Sequence, residues 1–149
     1  MELTVRRLTE NDWDTLVKWW KQWDFEFVPS KEFLPDNGTG GLIVEKENKP
    51  IASVFMYTTN SGVCALGWPL SDRNYKQEDR SQAITLLNTA CESVWKKHDG
   101  KFLFFWGNNR KYISNLQEIG FIEGDTNYSH LIKPLIVTGK RFHKLYLIM

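Results

Sequence analysis

The chain has 149 residues, 42% of them hydrophobic and 25% charged, and its 19 Lys+Arg against 18 Asp+Glu leave a net charge of +1. That balance describes one globular domain able to bury its own core and excludes a disordered chain, while the near-zero charge excludes broad electrostatic binding to nucleic acid, which needs a basic face. Apolar runs such as 102–106 are strand-length and far short of a membrane span, and MELTVRR has no apolar segment behind its arginines, so neither a membrane partner nor a signal peptide is expected.

In chain order, residues 3–8 read as a first strand, and Thr9-Glu10-Asn11-Asp12 as a helix start in which Thr9 accepts from the amide three residues on while Asp12 reaches back. Trp13, Leu16, Val17, Trp20 and Trp23 follow helical spacing and predict one buried face, with Trp19 off it. A poorly periodic stretch, 24–34, and the turn-rich PDNGTGG follow. Residues 41–47, 51–59 and 63–68 read as three strands, separated at hairpin distance by Asn48-Lys49 and Asn60-Ser61-Gly62, which predicts an antiparallel meander.

After a polar connection, 71–78, the residues Ala83, Leu86, Leu87, Ala90, Cys91 and Val94 keep the spacing of a core-facing helix stripe. That helix is expected to end near His98-Asp99-Gly100, with the glycine as left-handed cap. Residues 101–106 form a nearly continuous apolar run, the pattern of a central strand covered on both faces. Asn108-Asn109 opens another helix, closed by Gly120; 121–123 and 126–133 read as a final hairpin, and the closing FHKLYLIM as one further strand. Cys64 and Cys91 lie in apolar runs without metal-ligand spacing, so buried reduced thiols, no metal and a cytoplasmic address are expected. The order β α β β β α β α β β predicts a mixed α/β (α+β) fold, one sheet with helices on its faces.

Three stretches in that order resemble the GNAT superfamily of acetyl-CoA-dependent acyltransferases: VRRLTENDWDTL, WPLSDRNYKQEDRSQAITLL and NNRKYISNLQEIGF. They match, respectively, the family's opening strand and helix, its fourth strand with phosphate loop and helix, and its late helix closed by glycine–phenylalanine. The resemblance covers roughly residues 1–133 and implies a mostly antiparallel central sheet flanked by helices on both faces. Residues 134–149 stand outside it, as a C-terminal extension carrying an extra strand of the same domain or pairing with a second copy in a homodimer.

The resemblance also implies acetyl-CoA as co-substrate and a small amine as acceptor. The family holds the cofactor's pyrophosphate on backbone amides of a Gln/Arg-x-x-Gly-x-Gly/Ala turn, a task suited to a helix N-terminus. Here the aligned residues are Glu78-Asp79-Arg80-Ser81-Gln82-Ala83. Ala83 fits the last position, whereas Ser81 replaces the first glycine and Glu78 the opening residue. Two readings stay open: a variant phosphate turn using the amides of Arg80, Ser81, Gln82 and Ala83, or an ordinary helix capped by the Asp79 carboxylate.

For the chemistry, the family's carbonyl-holding amides correspond to Trp68 and Leu70, since Pro69 has no N–H. The family's thiolate-protonating tyrosine falls on Leu116; Tyr112, one turn earlier, is the substitute, and packing is its other reading. Asp72, just past the cofactor strand, is the candidate base, and Asn109 matches the asparagine that meets the pantetheine arm, unless it only caps its helix. Trp19 lies where an acceptor-side wall would be, suited to an apolar or cationic group. The functional expectation is an N-acetyltransferase acting on a small amine; a catalytically degenerate binding or interaction protein on the same scaffold is the alternative.

Overall fold

The computed structural model describes residues 2–25 and 28–135. Its elements are β1 (Leu3–Arg7), α1 (Trp13–Gln22), β2 (Gly41–Lys46), β3 (Lys49–Thr58), β4 (Val63–Ser71), α2 (Arg80–Lys97), β5 (Phe102–Phe104) and α3 (Arg110–Glu118), with short 3-10 turns before α1 and before β2. The strands lie in chain order in one sheet; β1 to β4 are antiparallel, and β5 joins β4 in parallel. The expected meander is therefore present. Its β2–β3 turn is Glu47-Asn48, both left-handed at φ 52° and 65°, a two-residue turn whose twist matches that of the strands.

Alternation along the strands sorts the core into two layers. Leu42, Val44, Ala52, Val54, Met56, Cys64 and Leu66 pack under Ala83, Leu87, Cys91 and Trp95 of α2 and Leu116 of α3. Ile43 and Phe55 join Leu16, Trp19 and Trp20 of α1 in a second cluster. Helices thus cover both faces, as expected. Each large side chain in these layers contributes about 1.5–3 kcal/mol by leaving water. Both cysteines are buried free thiols, and burial pushes their pKa values up to about 11 for Cys64 and about 12 for Cys91.

The start of α1 follows the sequence closely. The Asp12 carboxylate reaches back to accept from the Thr9 amide at 2.8 Å, and Arg6 donates to both of its oxygens at 2.8 and 2.9 Å. Asp12 is only 6% exposed. The Arg6 guanidinium holds its carboxyl below the usual range, against the opposing effect of burial.

Five expectations are corrected. Trp19 is buried and Trp23 is exposed, the reverse of the single-face reading. Phe25, Val28 and Leu34 pack into the α1 cluster, so the helix is covered on a second side. Trp23 lies just past the end of α1, where its Nε1 donates to the Ser71 carbonyl at 2.8 Å and Arg73 stacks on its ring. The left-handed residue after α2 is Asp99 at φ 60°, not Gly100, whose own amide bonds the Trp95 carbonyl at 2.9 Å.

β5 is a three-residue edge strand rather than a central one: Leu103 and Phe105 face the core while Phe102 and Phe104 stand 66% and 52% exposed. Residues 121–133 form no strand; Ile122 and Leu131 are over 90% exposed, so that stretch gains none of the burial a hairpin would need. The proposed closing strand and its dimer contact fall on 136–149, outside the described residues.

Candidate active site

The β4–α2–β5 segment is a crossover between parallel strands. Such a connection brings the end of β4, the N-terminus of α2 and the end of β5 to one edge of the sheet, the place where open α/β sheets hold ligands. β5 pairs with β4 only from Val63 to Ala65, while β4 continues to Ser71. Beyond Ala65 that side of β4 has no strand partner among the described residues, and the two strands leave an opening between them.

A bulge distorts β4 within this opening. Phe55 pairs with Gly67 and Ser53 with Leu70, so Trp68 and Pro69 together face Val54. Trp68 is left-handed at φ 52°, which costs a residue with a side chain about 1–2 kcal/mol. The bulge also switches faces. Cys64 and Leu66 point toward α2, yet Trp68 and Leu70, of the same parity, pack on the α1 side. There the Trp68 indole meets Trp20 and Phe33 edge-on, with centroids 6.1 and 6.2 Å away. Its Nε1 donates to the Tyr57 hydroxyl at 3.0 Å, and that hydroxyl donates to the Phe33 carbonyl at 3.1 Å. Burial pushes the Tyr57 pKa up to about 12, so the hydroxyl stays a donor at ordinary pH. Gly67 makes room for this arrangement, because a Cβ there would overlap the Tyr57 ring.

The N-terminus of α2 settles how Asp79 is used. Its carboxylate caps no amide; it turns to Lys46 Nζ at 2.8 Å and the Tyr75 hydroxyl at 2.7 Å. Those two bonds hold the Asp79 pKa below its usual value, and the carboxylate in turn raises that of Lys46. Of the two readings left open, the side-chain cap therefore falls: Lys46 at the end of β2 outcompetes the helix's own amides. The expected set of four amides also shrinks. Arg80 N–H bonds the Gln77 carbonyl at 3.2 Å and Ala83 N–H the Asp79 carbonyl at 2.9 Å. The Ser81 and Gln82 amides have no acceptor among the described residues. The Arg80 guanidinium braces the preceding loop through the Asp72 and Tyr75 carbonyls and Ser71 Oγ, at 2.6 to 2.9 Å.

The other candidates divide between the opening and the packed interior. Asp72, at the end of β4, accepts from the Asn74 amide at 2.9 Å in a local turn. Asn109 caps α3 through Oδ1, 3.0 Å from the Tyr112 amide, which leaves its NH2 group to donate elsewhere. Tyr112 donates its hydroxyl to buried Asn88 at 2.7 Å, and Asn88 continues through Asn115 to Thr85. Burial raises the Tyr112 pKa far above the usual tyrosine range. This hydroxyl ties α3 to α2. Trp19, 2% exposed, has no surface to offer an acceptor in this conformation. A cavity of about 500 Å³ lies beside α3, between Phe105, Trp106, Arg110 and His130, and contains none of these residues.

The sequence matches no protein-family model and no curated protein. Solved structures do match. N-acetylglutamate synthase from Neisseria gonorrhoeae, complexed with coenzyme A and N-acetyl-glutamate, superposes with a TM-score of 0.60 at 11% identity over 78% of this chain, which spans only 28% of that protein. An aminoglycoside acetyltransferase from an uncultured soil metagenomic sample gives 0.62 at 15% identity, covering 90% of this chain and 97% of that one. PaiA N-acetyltransferase from Thermoplasma acidophilum, in complex with coenzyme A, gives 0.62 at 14%, covering 85% and 94%. The chain has the GNAT fold.

Within that GNAT fold, Trp68, Leu70, Asp72, Ser81 and Gln82 sit at the end of β4 and the start of α2, which frame the opening, Asn109 caps α3 beyond the end of β5, and Trp19 and Tyr112 serve the packed layers. Sequence reading missed Tyr57, Lys46 and Tyr75. A signal existed for the first: a glycine two residues before a proline inside a strand marks a bulge and a close approach from the neighbouring strand. No local signal marks Lys46, which meets Asp79 across 33 residues of sequence.

Proposed function

We propose that this protein is an acetyl-CoA-dependent N-acetyltransferase acting on a small amine. One observation carries the reading: a bulged, one-sided β4 opens beside β5 at the same edge where α2 presents unpaired amides. Bound there, acetyl-CoA would supply a thioester whose acyl carbon accepts the amine. Ser81 and Gln82 N–H, with the α2 dipole, hold the pyrophosphate, and Lys46 adds positive charge beside them. Trp68 N–H, at the bulge, faces the carbonyl oxygen as charge gathers on it, and the Asn109 NH2 group meets the pantetheine arm. The expected second donor, Leu70, is corrected: its amide lies on the β3 side, in register with Ser53 and of the same parity as Asp72, whose amide bonds the Ile51 carbonyl. As the C–N bond forms and the C–S bond breaks, the amine's proton passes to Asp72 or to water, and water returns one to the thiolate. Tyr112 is left out of this step because its hydroxyl is committed to Asn88.

The acceptor approaches from the α1 side, past Trp68 and Phe33. The N-acetyl-glutamate and coenzyme A bound to the synthase, the aminoglycoside acetyltransferase activity of the second neighbour and the coenzyme A bound to the third support the class of reaction. Ser81 in place of a glycine is the observation that favours the alternative, a binding protein on the same scaffold. Thiol release from acetyl-CoA, followed across a panel of amines, separates the two. Amine-dependent release is expected; coenzyme A binding without release by any amine would leave the binding protein.

A further inference from the structure

Among the described residues, Trp68 is the one bulky residue within a strand that takes a left-handed backbone, and something must hold it there. Trp68 precedes a proline and shares a single β3 residue, Val54, with it, so the ladder gives it little support. The side chain is held instead. Trp68 Nε1 donates to Tyr57, and the Tyr57 hydroxyl is itself anchored on the Phe33 carbonyl, in the turn that precedes β2. Gly67 admits the Tyr57 ring across the strand at this spot.

We propose that Tyr57 is a positioning residue: through the Trp68 indole it fixes the left-handed bulge of β4, and with it the direction of the peptide groups that line the opening toward β5. The proposal rests on the acetyltransferase reading for its effect on turnover, but not for its effect on structure. Tyr57 touches neither reacting atoms nor cofactor. It acts at one remove, on the residue whose amide receives the developing charge.

The test is a double-mutant cycle on the full chain. Tyr57→Phe keeps the ring and removes the strut. Turnover is expected to fall roughly tenfold, the scale of one lost hydrogen bond, with the KM for acetyl-CoA and the folded fraction unchanged. In a Trp68→Gly background, glycine holds φ near 52° unaided, so Tyr57→Phe is expected to cost nothing further. An equal loss in both backgrounds would overturn the proposal, because Tyr57 would then act directly on the reaction; so would full turnover in the single variant.

A second readout needs no activity. In Tyr57→Phe the Trp68 indole N–H is expected to exchange with solvent several-fold faster, and its backbone amide resonance to move. If wild type shows no turnover, the acetyltransferase reading fails while this arm still decides the role of Tyr57. An unmoved Trp68 would refute it.

Discussion

Replacing Trp68 by glycine and by alanine isolates the backbone strain at the bulge. Both variants lose the same indole: its contacts with Trp20 and Phe33 and its bond to Tyr57. For a half-buried tryptophan that shared loss is about 2–3 kcal/mol, below the 3–5 of a fully buried one. The difference between the variants reports on φ alone. Alanine carries a left-handed penalty of about 1–2 kcal/mol; glycine escapes it but loses about 0.5–1 kcal/mol more chain entropy on folding. Glycine is therefore expected to be the more stable by about 0.5–1 kcal/mol, the reverse of the usual order inside a strand. Urea unfolding of the two variants side by side measures this, and for a chain of this size it corresponds to roughly 1–4 °C in Tm. An alanine variant as stable as the glycine variant would refute the left-handed assignment and the bulge built on it.

Asp79→Asn removes a negative charge beside the Ser81 and Gln82 amides and releases Lys46 toward an anion; acetyl-CoA is expected to bind several-fold tighter in a calorimetric titration, and the gain to shrink as salt is added. Weaker or unchanged binding would place the phosphate elsewhere. Asp12→Asn is expected to cost about 1.5–3 kcal/mol in chemical unfolding, since Arg6 and the Thr9 amide lose a buried charged acceptor. Because the folded-state pKa of Asp12 is depressed, its contribution is present above the unfolded value near 3.8 and fades as pH falls through the folded one. The same variant should thus show a flatter loss of stability below about pH 4 than wild type. Tyr112→Phe is expected to lower stability by about 1 kcal/mol, because the Asn88 carbonyl loses its donor inside the α2–α3 interface.

What could be read from the sequence was local. The reach-back of Asp12 to Thr9 spans three residues, and the three-strand meander needed only short apolar runs separated at hairpin distance. Ala83, Leu87 and Cys91 of the α2 stripe and the Asn109 cap needed only helical spacing and a side-chain oxygen, whereas Leu86, expected on the same stripe, is 37% exposed at its edge. What could not be read depended on neighbours distant in sequence. Nothing near Trp68 gives its φ, because the hydroxyl that holds its indole belongs to Tyr57 on the neighbouring strand. Capping by the Asp79 carboxylate stayed open as a reading because its actual partner, Lys46, is far away in the chain. The 101–106 run was read as central because hydrophobicity reports that a strand is apolar and not how many strands flank it. Trp19 was misjudged for a related reason: periodicity describes one buried face, and Phe25, Val28 and Leu34 supply a second.

Calorimetric titration of the purified protein with acetyl-CoA, with dephosphorylated coenzyme A as the control, tests the central claim most directly. The proposed site is expected to give a Kd of about 1–100 µM, raised several-fold by Ser81→Pro, which removes one of the two open amides at the start of α2. No heat at millimolar ligand would contradict it, and the GNAT scaffold of this chain would then be serving a partner other than acetyl-CoA.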